Sequence, residues 1–177
     1  GTGRIGAALI RYMAPYGCRI LGFDKYQPAV RAKGIGYIRV ETLDELLAGS
    51  DFISLHCVLT EETRGMVDEN FISAMKPGSL LVNTARGGLF RNLDVLEKGL
   101  RSGRLGGVGT DVLPEEPPGD HPLIRAWRDF EPWLEGRLVI TPHTAYYSES
   151  ALYDMRFKAA ETAALFLDQN ELRNRVV

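Results

Sequence analysis

The sequence predicts an α/β fold, a doubly wound parallel sheet covered by helices on both faces. Two observations carry this. Short apolar runs of strand type recur along the chain, and segments with helical periodicity separate them, most closed by glycine or proline. Strands spaced by helices must run parallel, because the helix carries the chain back to the starting edge of the sheet.

Residues 4–16 have Ile5, Leu9, Ile10 and Met13 spaced for one apolar helix face, with Pro15 and Gly17 at the end. A strand over 19–23 follows, then a short helix over 28–33 and a strand over 37–40. Thr42 and Glu45 have capping-box spacing, which predicts a helix over 43–48. A strand is expected at 51–55. Asp68 can cap a helix ending at Met75, before Lys76-Pro77-Gly78. The run SLLVN at 79–83 is apolar enough to be a strand buried on both faces. A helix near 92–102, a strand over 106–112 and a last strand over 138–141 complete the sheet. Residues 113–137, rich in Pro, Glu and Trp, read as a long ordered loop with one helical turn, in which Trp127 and Trp133 serve as packing or interface anchors. A long amphipathic helix is expected over 148–169.

The whole chain, 1–177, reads as one domain. With 45% hydrophobic and 25% charged residues it has the balance of a globular protein. A net charge of −2 gives no electrostatic reason for a nucleic-acid or anionic-membrane partner. No apolar run approaches the ~20 residues that cross a bilayer. Cys18 and Cys57 make neither a metal-ligand spacing nor a disulfide framework. Both read as small buried apolar residues, which suits a reducing compartment, with cytoplasm the default. No metal is expected.

The opening Gly1-x-Gly3-x-x-Gly6 is followed by Asp24 at the end of the next strand. This is the pattern of a Rossmann-type dinucleotide site. Gly1 permits a tight turn, Gly3 lets a pyrophosphate approach the backbone, and Gly6 allows close helix packing. Amides around Arg4 and Ile5 direct the positive helix end at phosphate. Asp24 accepts from ribose hydroxyls and repels a 2′-phosphate, so NAD is favoured over NADP. Lys25 reads as a solvated loop charge. The motif ordinarily follows the first, central strand, and here none precedes it, so a domain truncated at its N-terminus with that strand absent is expected.

The segments SDFISLHCVLTEETRGMV, MKPGSLLVNTARGGL, GVGTDVLPEEPP and VITPHTAYYSES occur in this order. Together they resemble the D-isomer-specific 2-hydroxyacid dehydrogenase family. PHTAYYSE and DMRFKAAETA look closest to the branch that holds the C-terminal-binding proteins, NAD-dependent homologues acting as corepressors. The resemblance implies that Arg86 binds and polarises a 2-oxoacid, that His143 is the acid–base group, and that Glu116 tunes His143. It also implies that Asp111 contacts the nicotinamide carboxamide and that Thr84 and Ala85 neighbour the nicotinamide ribose, with Arg86 and His143 also reaching the cofactor. Cys57, Val58 and Thr63 line the adenosine side; many members have Pro where Val58 stands. His56 reads as a supporting or hinge residue. Tyr146 either narrows the substrate pocket or packs at a helix start.

Two functions follow from the resemblance: an NAD-dependent oxidoreductase acting on a small 2-hydroxyacid or 2-oxoacid, or an NAD-sensing binding protein. A homodimer and a separate substrate domain outside this chain are expected. A hydrolase would need a ligand cluster, a G-x-S-x-G elbow or an activated cysteine, and the sequence lacks them.

Overall fold

In the computed structural model, which describes residues 1–172, every strand pairs in parallel. The chain forms two compact units, Gly1–Pro142 and His143–Val177. The first contains α1 (Arg4–Met13), β1 (Leu21–Gly22), α2 (Val30–Ile35), β2 (Ile38–Arg39), α3 (Leu43–Gly49), β3 (Phe52–Leu55), α4 (Glu69–Ala74), β4 (Ser79–Asn83), α5 (Leu93–Arg101), β5 (Leu105–Thr110), α6 (Pro122–Arg128) and β6 (Leu138–Ile140). The second contains α7 (Glu149–Gln169). Among the described residues, no helix is long and apolar enough to cross a membrane.

Strands β3-β4-β5-β6 form one sheet in that order, and β1 pairs with β2 in a second. Ile53, Leu81, Val108 and Leu138 stand side by side across the larger sheet, and all four are buried. Leu47, Phe71, Ile72, Val95, Leu96, Leu100 and Leu123, from α3 to α6, join them in the main core. The opposite face carries Phe52, Leu80 and Val139, which remain exposed. The expectation that β4 is closed on both faces is therefore corrected. Its burial alternates, with Leu80 42% exposed, as a period of two dictates when helices cover one face.

Local signals set most helix starts. The Thr42–Glu45 capping box forms, and Asp68, Asn92 and Ser148 accept from the third helical amides of α4, α5 and α7. Other expectations need revision. The buried face of α1 is Gly6, Ala7 and Ile10, whereas Ile5 is 69% exposed, because the small residues allow the closest approach. Strands β1 and β2 are shorter than their apolar runs, since a two-stranded ladder offers few pairing partners. Segment 113–137 holds a helix, α6, and a 3₁₀ turn at Pro132–Leu134, in place of one helical turn. Trp127 and Trp133 pack against the core, and the Arg101 guanidinium lies 3.9 Å above the Trp133 ring. Helix α7 has no buried residue, and its apolar side chains are spread around it. It is not the amphipathic helix expected. Cys18 is exposed and Cys57 half-buried, so neither is the buried apolar residue anticipated.

Candidate active site

A parallel sheet delivers the carboxyl ends of its strands to one edge, and ligands of open α/β sheets bind there. Here β3 leads into His56-Cys57, β4 into Thr84-Ala85-Arg86 and β5 into Asp111.

The glycine turn is built onto the end of β3. A Cβ on Gly1 would lie 2.6 Å from the carbonyl of His56 and 2.7 Å from the Cys57 amide nitrogen. One on Gly6 would lie 2.3 Å from the Gly1 carbonyl oxygen. Both positions exclude any larger residue, and Gly6 serves the turn itself as much as helix packing. Beside Gly3, by contrast, no atom lies within 4 Å of an added Cβ. Gly3 is also the N-cap of α1 and brings no side chain to the first-turn amides. Open space at a helix start without a side-chain cap fits a pyrophosphate. Arg4 and Ile5 stand exposed on that turn.

Asp24 is tied to the same turn. Its Oδ2 accepts from the Thr2 amide at 2.6 Å, and its Oδ1 from the amides of Tyr26 and Gln27 at 3.0 and 3.1 Å. Burial pushes its carboxyl up, but the three amide donors outweigh that and hold it below the ordinary value. A half-exposed, ionised acceptor beside the turn suits ribose hydroxyls. Within the loop after β3, the Thr63 hydroxyl donates to the Val58 carbonyl at 2.7 Å and accepts from the Thr60 amide at 2.8 Å. Val58 itself is exposed. The Cys57 thiol lies 3.9 Å from Met66 Sδ, and burial raises its pKa. His56 pairs with Ser54 at 2.8 Å, and burial lowers its pKa, which keeps the ring neutral. Lys25 is not merely solvated: it forms an ion pair with Glu62, and Tyr26 donates to the same carboxylate at 2.6 Å.

A second group surrounds the end of β4. The buried Asn83 side chain accepts from the Ala85 amide at 2.9 Å and donates to the Arg86 carbonyl at 3.0 Å. Thr84 and Arg86 are thereby presented on a pinned turn, with both side chains exposed. Arg86 Nη1 donates to the Ala85 carbonyl at 2.7 Å. Gly87 brings the neighbouring loop close, since an added Cβ would lie 1.8 Å from the Leu113 carbonyl oxygen. The Leu113 amide in turn donates to Glu116 Oε1 at 2.8 Å. Asp111 is buried, and its carboxylate accepts from the Thr141 hydroxyl at 2.6 Å. The two groups meet through Gly65, whose amide donates to the Gly88 carbonyl at 2.8 Å.

His143 opens the second unit with φ 54°, and the Tyr146 ring meets it edge-on at 6.5 Å. Within the first unit, then, the structure unites Gly1, Gly3, Gly6, Asp24 and Cys57 in one group and Ala85, Arg86, Asp111 and Glu116 in another. Sequence reasoning missed Asn83, Gly87 and Glu62. An amide ending an apolar strand was the available signal for Asn83; the other two depend on contacts distant in sequence.

Asp94, Glu97 and His121 place ligand-type atoms within 4.8 Å of one another at the starts of α5 and α6. His121 Nδ1 already accepts from the Leu123 amide at 3.1 Å, so Nε2 carries the proton and faces Asp94 at 3.1 Å. Glu97 pairs with Arg101 at 2.8 Å. The cluster is a helix cap with a His121–Asp94 hydrogen bond and a Glu97–Arg101 ion pair, and its imidazole has no lone pair to give a metal.

Comparison with known proteins bears on the family and the fold. A formate dehydrogenase of Neurospora crassa is 40% identical over 168 residues, 93% of this chain and 43% of its own length. Among solved structures, a glyoxylate reductase from Paecilomyes thermophila superposes with a TM-score of 0.84 at 29% identity, covering 99% of this chain and 50% of that one. A D-lactate dehydrogenase from Aquifex aeolicus, complexed with NAD and lactic acid, gives 0.76 at 32% identity, covering 94% and 51%. The chain thus spans about half the length, or less, of these relatives. The profile for the NAD-binding domain of the D-isomer-specific 2-hydroxyacid dehydrogenases matches residues 1–145, more than three quarters of the chain. The chain belongs to that family and carries its Rossmann-type NAD-binding domain.

Proposed function

We propose that the whole protein is an NAD-dependent oxidoreductase interconverting a D-2-hydroxyacid and its 2-oxoacid, with this chain as its NAD-binding portion. The observation that carries the reading is the Arg86 turn, pinned by Asn83 on the sheet edge that also bears the glycine turn. In this reading Gly1, Gly3 and Gly6, the amides at Arg4 and Ile5, and Asp24 hold the pyrophosphate and adenosine ribose. Cys57, Val58 and Thr63 line the adenosine side. Thr84, Ala85 and Asp111 serve the nicotinamide end. When bound, NAD(H) supplies or accepts the hydride at the substrate's C2.

Arg86 grips the substrate carboxylate and draws electron density from the adjoining carbonyl, which its forked guanidinium can do and a lysine cannot. His143 delivers a proton to the carbonyl oxygen during reduction and recovers it during oxidation, a two-way role that an imidazole can fill. In this reading Glu116 tunes His143 by holding one imidazole nitrogen and so fixing its tautomer.

The test is NADH oxidation by the full-length protein across glyoxylate, pyruvate and bulkier 2-oxoacids. Turnover that falls by about 100-fold or more in Arg86→Ala and in His143→Ala supports the assignment. NADH binding without turnover on any acid, or full turnover in either variant, overturns it.

A further inference from the structure

We infer that Glu62 is a cofactor-specificity residue, which keeps the site selective for NAD by withdrawing the Lys25 ammonium from the ribose 2′ position beside Asp24. The inference rests on the NAD reading above. A 2′-phosphate is a dianion, and a site accepts it by offering a cation where a 2′-hydroxyl needs only an acceptor. Asp24 is the acceptor, fixed by the amides of Thr2, Tyr26 and Gln27. Lys25, Arg31 and Arg39 are basic residues on the segments that follow it, and each is engaged elsewhere. Arg31 bonds the Gln27 side chain. Arg39 bonds the Gln27 carbonyl at 2.7 Å and Glu41 at 3.0 Å. Lys25, next in sequence to Asp24, pairs with Glu62.

Glu62 differs from the other partners in its origin. It lies 37 residues beyond Lys25, on the loop after β3 that carries Cys57, Val58 and Thr63. It also accepts from the Tyr26 hydroxyl at 2.6 Å, so both residues following Asp24 are drawn toward that loop. Lys25 and Glu62 side chains are 64% and 46% exposed. A pair that wet adds little to folding stability. Its effect is instead on where charge stands: Glu62 neutralises the ammonium of Lys25, the residue next to Asp24 in sequence, and adds a second carboxylate to the same rim.

The experiment measures NADH and NADPH dissociation constants for the full-length protein and for Glu62→Gln, Lys25→Ala and the double variant. In Glu62→Gln, NADPH binding tightens by roughly fivefold and NADH binding changes less than about twofold, and the gain shrinks as salt rises from about 0.02 to 0.5 M. Lys25→Ala alone leaves the NADPH-to-NADH ratio at its original value, and the double variant loses the gain. The melting temperature of Glu62→Gln stays within a degree or two of the parent. An unchanged ratio in Glu62→Gln overturns the inference, as does a gain that survives in the double variant or a several-fold loss of NADPH binding in Lys25→Ala alone. Parent protein that binds neither nucleotide is a different failure, that of the NAD reading itself.

Discussion

The side-chain amide of Asn83 donates to the main-chain carbonyl of Arg86 at 3.0 Å, three residues ahead in the chain. Its oxygen accepts from the intervening Ala85 amide at 2.9 Å. One buried side chain therefore satisfies both backbone groups of the turn that presents the guanidinium. Local hydrogen bonding, not a long-range contact, sets where Arg86 begins.

Asn83→Ala takes the acceptor from the Ala85 amide and leaves the Arg86 carbonyl to the Leu89 amide, at 3.2 Å. A stability loss of about 1–3 kcal/mol is expected in urea melts. The loosened turn should lower kcat/KM by about 10- to 100-fold, because a small misplacement of a substrate-binding group is costly. NADH affinity should change less than about threefold, which separates a positioning role from general unfolding. An equal loss in both quantities contradicts it.

Gly87→Ala brings a methyl to 1.8 Å from the Leu113 carbonyl oxygen. Both partners are backbone, so no rotamer change relieves the clash. The Arg86 and Glu116 loops must separate, at a stability loss of about 1–3 kcal/mol. Turnover should fall more steeply than for a substitution at Gly34, on α2, where an added Cβ meets nothing within 4 Å. The relevant comparison for Gly87→Ala is single-turnover kinetics with saturating NADH.

Asp24 makes folding stability depend on acid. Its folded pKa lies below its ordinary value of ~3.9, because amide donors outweigh the opposing effect of burial. The stabilisation is present above that ordinary value and is lost as pH falls through the lower, folded one. Parent protein should therefore exceed Asp24→Asn in stability at about pH 6, and the gap should narrow steadily below about pH 4. A gap that widens toward acid would falsify the assignment of Asp24 as an ionised acceptor.

Cys57 should alkylate more slowly than Cys18 at neutral pH. The Cys57 thiol is half-buried and burial raises its pKa, whereas Cys18 is exposed. Thiolate is the reacting form, so both differences slow Cys57. Peptide mass spectrometry after timed iodoacetamide treatment of the full-length protein reads the two rates. Added NADH should slow Cys57 further and leave Cys18 unchanged.

Much of this is legible in the sequence. The capping box at Thr42 and Glu45, the Asp68 cap and the bounds of the strand at 79–83 depend on residues within a few positions of each other, and all three form, the strand with one face open. The glycine turn and Asp24 are equally legible from their spacing, although what excludes a side chain at Gly1 is the His56 carbonyl, 2.6 Å from an added Cβ and 55 residues away in the chain. The face that α1 buries was misread, because periodicity marks where apolar residues lie and not which side meets the smallest gap. Helix α6 was passed over, its start being a His121 cap before Pro122 inside a proline-rich stretch.

By itself the sequence determined the strand–helix alternation, the parallel sense of the sheet and the chemical types at each strand end, since these follow from periodicity, caps and spacing along the polymer. Tertiary structure decided that β4 stays open on one face, that Gly87 lies against Leu113, and that Glu62 reaches Lys25 across 37 residues. Those are contacts between segments distant in the chain. Their existence depends on how whole elements pack in three dimensions, and no local pattern of residues encodes that.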